Sequence, residues 1–225
     1  MRKFFASIIS ILCVFFALAF PAMNPPAAAA AIPGLGNPVE RDREWTVLVY
    51  MDADNNLESD GLADVLEMER GMPENANIDV VLMIDRAKGY DDSMGDWTGT
   101  RIYHVTRSAG EAISSELLAD CGEQNMGDPA VLESFIKAGA AKYPARHAAL
   151  VLWDHGGGWI GMLNDDDDAG DGADEITLAE LENALSRTAG AMPGGKFDLL
   201  LFDMCLMGQA EAVTAMAPFA NYMVA

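Results

Sequence analysis

Two side chains in this sequence have the types and the spacing for thiol chemistry: Cys205 and His155. Cys205 follows the apolar run Phe197–Phe202 (FDLLLF), and His155 follows His147–Trp153 (HAALVLW). Hydrolysis by a thiol needs a thiolate nucleophile, a proton donor for the leaving amine, and N–H donors aimed at the developing oxyanion. His155 precedes three glycines, Gly156 to Gly158, so the backbone there can turn sharply and approach a bound molecule closely. Taken alone, a cysteine behind a strand is most often a small core hydrophobe, and a histidine beside glycines is most often structural. Found together, behind two apolar runs, they reverse that weighting.

The elements that must position this pair alternate along the chain. Trp45–Met51 (WTVLVYM) and Ile78–Ile84 (IDVVLMI) read as buried strands, and so do His147–Trp153 and Phe197–Phe202. Arg101–Thr106 alternates and reads as a third, edge-like strand. Helical spacing runs over Leu57–Glu69, over a segment opened by Asp128 and Pro129 and lasting to about Lys142, and over Cys205–Met216. Thr177–Ala189 carries a capping box, Thr177 with Glu180. Strands without alternation, separated by helices, predict a mostly parallel α/β sheet covered on both faces. Chemistry in such sheets sits beyond the carboxyl ends of the strands. His155 and Cys205 are therefore expected on one edge, with Cys205 at a helix start whose dipole favours a thiolate.

The composition excludes other classes. With 35 acidic against 14 basic residues the formal charge is −21, which argues against nucleic acid or an anionic membrane surface as partner. Met1–Ala31 reads as a signal peptide: Arg2 and Lys3, an apolar stretch Phe4–Phe20, then prolines and an alanine run offering small-residue cleavage sites. The expected localisation is secreted or cell-envelope associated, without a stable membrane span after cleavage; an uncleaved anchor is the alternative. Residues 32–44 read as a linker. Outside the leader two cysteines remain, Cys121 in an expected loop and Cys205, and whether they pair is open.

The segments VLWDHGGGW and LLLFDMCLMG resemble the His-Gly and Asp-x-Cys motifs of clostripain-like cysteine peptidases (family C11, in the caspase-like clan). WTVLVYMDADNNLE resembles that family's first-strand signature, and the stretch from Asp165 to Leu185 its acidic loop and following helix. The separation of His155 and Cys205, 205 − 155 = 50, also matches the His–Cys spacing of about 50 in caspases. The resemblance covers about 45–225 and implies a caspase-like three-layer sandwich, of which this chain carries the N-terminal part. It implies an exported cysteine endopeptidase with Cys205 as nucleophile and His155 as partner. The N–H groups of Gly156 and Cys205 would form the oxyanion hole. Asp203 would select Arg or Lys in the S1 pocket, so peptides or proteins with a basic P1 residue are the implied substrates. A carboxylate at a pocket mouth suits guanidinium or ammonium; the alternative role for Asp203 is a helix N-cap.

Some features depart from the family. Members often cleave themselves after a basic residue in the loop behind the catalytic His, but Gly161–Thr177 has no Lys or Arg. Only Arg187 and Lys196 are basic between His155 and Cys205, Lys196 lying in the more exposed turn, and Met204 stands where a small residue is common. The chain stops inside an apolar run at Ala225, so a truncated, catalytically inactive domain is one alternative. The acidic loop Asn164–Glu175 holds seven carboxylates and could take calcium, as some members do, yet from Asp167 the EF-hand positions 3 and 12 fall on Ala169 and Leu178. No cofactor or metal is otherwise required, and solvated charge that steers basic substrates is the simpler role. The other alternative is a Mg²⁺-dependent haloacid-dehalogenase-type phosphohydrolase using Asp52 and Asp54, with Gly170–Asp174 imitating its later metal motif. It leaves His155 and Cys205 unexplained.

Overall fold

A computed structural model describes residues 32–74, 77–166 and 173–225. In chain order the elements are β1 (Trp45–Ala53), α1 (Glu58–Gly71), β2 (Ile78–Arg86), β3 (Thr100–His104), β4 (Glu116–Gly122), α2 (Pro129–Lys142), β5 (His147–Trp153), β6 (Met162–Asp165), β7 (Asp174–Ile176), α3 (Leu178–Thr188), β8 (Phe197–Asp203), α4 (Ala210–Met216) and β9 (Ala220–Val224). Seven strands form one sheet in the order β4-β3-β2-β1-β5-β8-β9. The five from β2 to β9 run parallel, and β3 and β4 complete one edge antiparallel.

The alternation along β1 explains the layers. Leu48 and Tyr50 point to a core shared with α2, α3 and α4, where the Tyr50 and Phe135 rings lie 5.9 Å apart. Val49, Met51 and Ala53 point to a second core against Leu62 and Val65 of α1. A sheet between helices on both faces is the expected three-layer α/β sandwich. The second face loses its cover towards β9, where Tyr222 and Val224 are exposed. Local signals held where their partners are local. Asp128 caps α2 by accepting from the Ala130 N–H at 2.8 Å, and Thr177 with Glu180 closes the capping box of α3.

Three expectations need correction. β3 is not at the edge, because β4 lies outside it, and Cys121 belongs to β4 rather than to a loop. The β4 sequence ELLADCG, half exposed and without alternation, carries no strand signal. The helix expected from Cys205 begins only at Ala210: residues 204–209 form a turn, and Gln209, not Asp203, holds the N-cap position. Cys205 therefore does not stand at the start of that helix, and the expected helix-start position of its thiol is not met.

Residues 1–31, expected as the leader, lie outside the described residues. Among the described residues no helix is long and apolar enough to cross a membrane. Residues 32–44, expected as a linker, form no helix or strand but lie along the body. Ile32 is buried, the Val39 N–H donates to the Lys142 carbonyl at 2.8 Å, and Arg43 reaches Asp79 at 3.2 Å.

One buried ion pair ties the first crossover together. Arg86 at the end of β2 donates from Nε to Glu58 in the first turn of α1 at 2.6 Å, both side chains being fully buried. The same guanidinium donates to the Asp91 carbonyl at 2.8 Å and sits 4.8 Å from the centre of the Trp97 ring. The second Glu58 oxygen accepts the Asp91 N–H at 2.7 Å. Removing one partner strands the other in a dry site, so Glu58→Ala should lower unfolding free energy by about 3–5 kcal/mol in denaturant titration. A change under about 1 kcal/mol, the size of an exposed pair, would contradict this role.

Candidate functional site

The pairing of β5 with β8 fixes where His155 and Cys205 go. Ala149 lies beside Leu199 and each later pair follows in step to Trp153 beside Asp203. The ladder offset, 203 − 153 = 50, equals the offset between His155 and Cys205. Both chains leave the sheet together, the Asp154 N–H donating to the Asp203 carbonyl at 3.4 Å. Immediately beyond, the two segments touch: a Cβ on Gly156 would stand 2.3 Å from the Cys205 carbonyl oxygen. Only glycine permits that approach. The loop then closes on itself, with Gly157 N–H to Gly161 O at 2.8 Å and Leu163 N–H to His155 O at 3.3 Å, and enters β6.

The two side chains meet different surroundings. Cys205 is an exposed free thiol on the turn after β8, and the next residue, Leu206, holds φ at 65°, strained for a side chain that size. His155 is half-buried, its Nε2 3.0 Å from Oδ1 of Asn56 in the turn after β1. An open cavity of about 280 Å³ is lined by His155, Gly156, Gly157, Gly161, Met162, Asn164 and Glu175. Trp159 and Ile160 are exposed on the same loop, as is Leu206 on the cysteine's turn. A second cavity of about 330 Å³, with Tyr143 and His147 in its wall, lies at the opposite end of the strands.

Asp203 is exposed at the last position of β8, in register with Trp153 and on its face. Trp153 donates its indole N–H to Asp64 of α1 at 2.8 Å. Partial burial first, and then the Asp64 charge, raise the Asp203 carboxyl above the usual carboxylate range. A carboxylate whose charge is disfavoured by a neighbouring acid offers a binding place for a cation. Cys121 is half-buried where Cys205 is exposed, and burial first, then Asp120 and Asp85, push the Cys121 thiol up to about 11. Four strands stand between β4 and β8, a span of roughly 24 Å at the usual strand spacing, so the two cysteines do not pair.

Behind the site the same sheet edge buries carboxylates. Asp52, Asp54, Asp85, Asp154 and Asp165 are all buried. Burial first, then the charges of their neighbours, raise Asp52 and Asp85 well above the ordinary range. Asp154, raised by burial to about 7, accepts from Asn55 Nδ2 at 2.7 Å and from the Asn164 N–H. Asp165 accepts the Met126 N–H at 2.6 Å. Of the acidic loop, Asp167, Asp168 and Asp171 lie outside the described residues. Asp165 is turned inward, Asp174 binds Asn125 at 2.9 Å, and Glu175 reaches the cavity. Asp54, Asp85 and Glu123 bring one oxygen each within 4.8 Å of one another, and none of the three belongs to the acidic loop that could take calcium.

Residues 49–225 match the model of the clostripain family of peptidases. The chain belongs to the clostripain family. It is 30% identical over 199 residues to clostripain of Hathewaya histolytica, a match covering 79% of this chain and 37% of that protein. A secreted C11 cysteine protease of Bacteroides thetaiotaomicron, solved with an irreversible peptide inhibitor, is 25% identical with a TM-score of 0.61, over 80% of this chain and 48% of that one. An inactive zymogen C11 protease of Parabacteroides distasonis superposes with a TM-score of 0.60 at 23% identity, over 82% of this chain and 49% of that one. At that identity it shows the fold alone. This chain thus spans about half or less of the length of these relatives.

Membership in the clostripain family leaves the phosphohydrolase alternative without support, and burial adds a physical reason. Asp52 is 0% and Asp54 1% exposed, and a nucleophile sealed from water cannot meet a phosphate ester. Sequence reading passed over Asn56 and Asp64, and took Glu175 only as one charge of the acidic loop. Asn56 had a signal, since it follows the first strand on the same carboxyl edge as the other candidates. Asp64 had none, because only the packing of α1 places it near Asp203.

The buried acids set a pH dependence. Asp154 titrates near the usual ~3.9 when unfolded but at about 7 in the fold. Between those values the native state holds a proton that the unfolded chain lacks, so stability rises as pH falls through that window. Thermal unfolding should show a higher Tm at pH ~5.5 than at pH ~7.5. A Tm that is lower at pH ~5.5 than at pH ~7.5 would contradict the burial of these groups.

Proposed function

We propose that this chain carries the nucleophile and its partner in an exported cysteine endopeptidase that cleaves after arginine or lysine. The observation that supports this best is the β5–β8 register, which delivers the His155 and Cys205 backbones side by side beyond one sheet edge. In the proposed reaction the Cys205 thiolate forms a bond to the scissile carbonyl carbon. The oxygen takes up the electron pair and is held by the N–H groups of Gly156 and Cys205. His155, protonated, gives its proton to the departing amine as the C–N bond breaks. Water then attacks the thioester with His155 as base, and thiolate leaves the acyl carbon to regenerate the site. No step needs a metal ion.

Asp203 is the proposed S1 carboxylate, with the Asp64 charge close by. A guanidinium or ammonium entering there relieves the repulsion between them, which favours Arg and Lys at P1. Trp159 and Ile160 on the His155 loop and Leu206 on the cysteine's turn are exposed and offer apolar surface to a substrate. Export rests on the Met1–Ala31 leader, and a secreted relative supports it. Peptides and proteins with accessible basic residues are the proposed partners.

Steady-state cleavage of arginine-ending and lysine-ending fluorogenic peptides by the full-length protein tests this reading. Cys205→Ala should abolish turnover and His155→Ala should lower kcat by about 10²–10⁴-fold. Asp203→Asn should raise KM for basic substrates by about tenfold or more. Turnover that survives Cys205→Ala overturns the mechanism, and an unchanged preference in Asp203→Asn removes its S1 role.

A further inference from the structure

The geometry points to Asn56 as the positioning residue that orients His155, making the proposed pair a Cys205–His155–Asn56 triad. The inference rests on the peptidase reading and adds a residue to it. The amide oxygen Oδ1 of Asn56 lies 3.0 Å from Nε2 of His155. A carbonyl oxygen can only accept, so Nε2 carries the hydrogen. In the neutral ring the lone pair then sits on Nδ1, the nitrogen left to exchange a proton with the thiol. When the ring takes a second proton the Nε2–H···O bond persists, so Asn56 serves both states of the cycle.

The approach is built into the fold. Asn55 is buried, and its Nδ2 donates to Asp154 Oδ1 at 2.7 Å and to the Asn164 carbonyl at 3.1 Å, while its Oδ1 accepts the Leu57 N–H at 2.9 Å. Asp154 is the residue before His155 and also accepts the Asn164 N–H. The end of β1 is thereby clamped to the end of β5, and the next residue on each side, Asn56 and His155, face one another. Asn56 itself is exposed, and among the described residues its side chain has no other hydrogen-bond partner. The fold does not need that side chain. A neutral acceptor also suits this edge, where buried Asp52, Asp54 and Asp154 already crowd acidic groups.

Two variants of the full-length protein separate positioning from folding. Asn56→Ala should lower kcat for an arginine-ending peptide by about tenfold to a hundredfold. Its KM should stay within about twofold and its Tm should be unchanged, because the pocket carboxylate is untouched. Asn56→Asp keeps an acceptor but charges it. It should recover most of the lost kcat and move the pH–rate profile upward by about one unit, because the carboxylate favours the imidazolium. Titration of the His155 imidazole by NMR should shift upward in the same variant, with or without turnover. A kcat for Asn56→Ala within about twofold of the parent, or an unmoved His155 titration in Asn56→Asp, overturns the role. A parent protein with no Cys205-dependent turnover would overturn the peptidase reading instead, and the titration alone would then decide the contact.

Discussion

The parallel register between β5 and β8 is the constraint on which the rest of the site depends. Each ladder step pairs residues 50 apart, and that offset leads out of the sheet to His155 and Cys205. A shift of one residue would turn every side chain of β8 to the other face. It would bury Asp203 and expose Phe202, so the core enforces the register against slippage. The contact between Gly156 and the Cys205 carbonyl prolongs the pairing past the last ladder residue. The strained Leu206 backbone and the turn before α4 are the local consequences of presenting a cysteine there.

Electrostatics at this edge follow from the same topology. Parallel strands end together, so residues in step on β1, β2 and β5 meet: Asp52 beside Asp85, and Asp154 at the end of β5. Burial keeps these carboxyls from ionising freely, and Asn55 and backbone N–H groups satisfy those that accept. The acidic composition therefore has two parts. One is buried and structural behind the site, and the other, with Asp203, Asp64 and Glu175, faces outward where a cationic substrate is proposed to bind.

Much of this was legible in the sequence because the informative signals were local. The runs in β1, β2, β5 and β8 are long and apolar, Asp128 and Thr177 cap helices from one residue away, and the His-Gly and Asp-x-Cys segments stand directly behind their strands. What escaped depends on tertiary partners. β4 pairs only because β3 offers an edge, so its mixed sequence carried no period. Asp52, Asp85 and Arg86 belong to strands, but their polarity ended the apolar runs too early; Glu58 and Thr100 supply the partners that let Arg86 and Asp85 be buried. The helical spacing after Cys205 was real but began late, and the helix-dipole argument for the thiol fell with it. Asn56 stood on the legible carboxyl edge and was passed over, whereas Asp64 became visible only once α1 was placed.

In the proposed reaction Cys205, activated by His155, attacks substrate carbonyls from the β5–β8 edge. Peptide mapping by mass spectrometry after reaction with an arginine-ending chloromethyl ketone tests it most directly. A single adduct on Cys205, with Cys121 untouched and labelling lost in His155→Ala, is the predicted result. Labelling of Cys121, or equal labelling of Cys205 without His155, would contradict it.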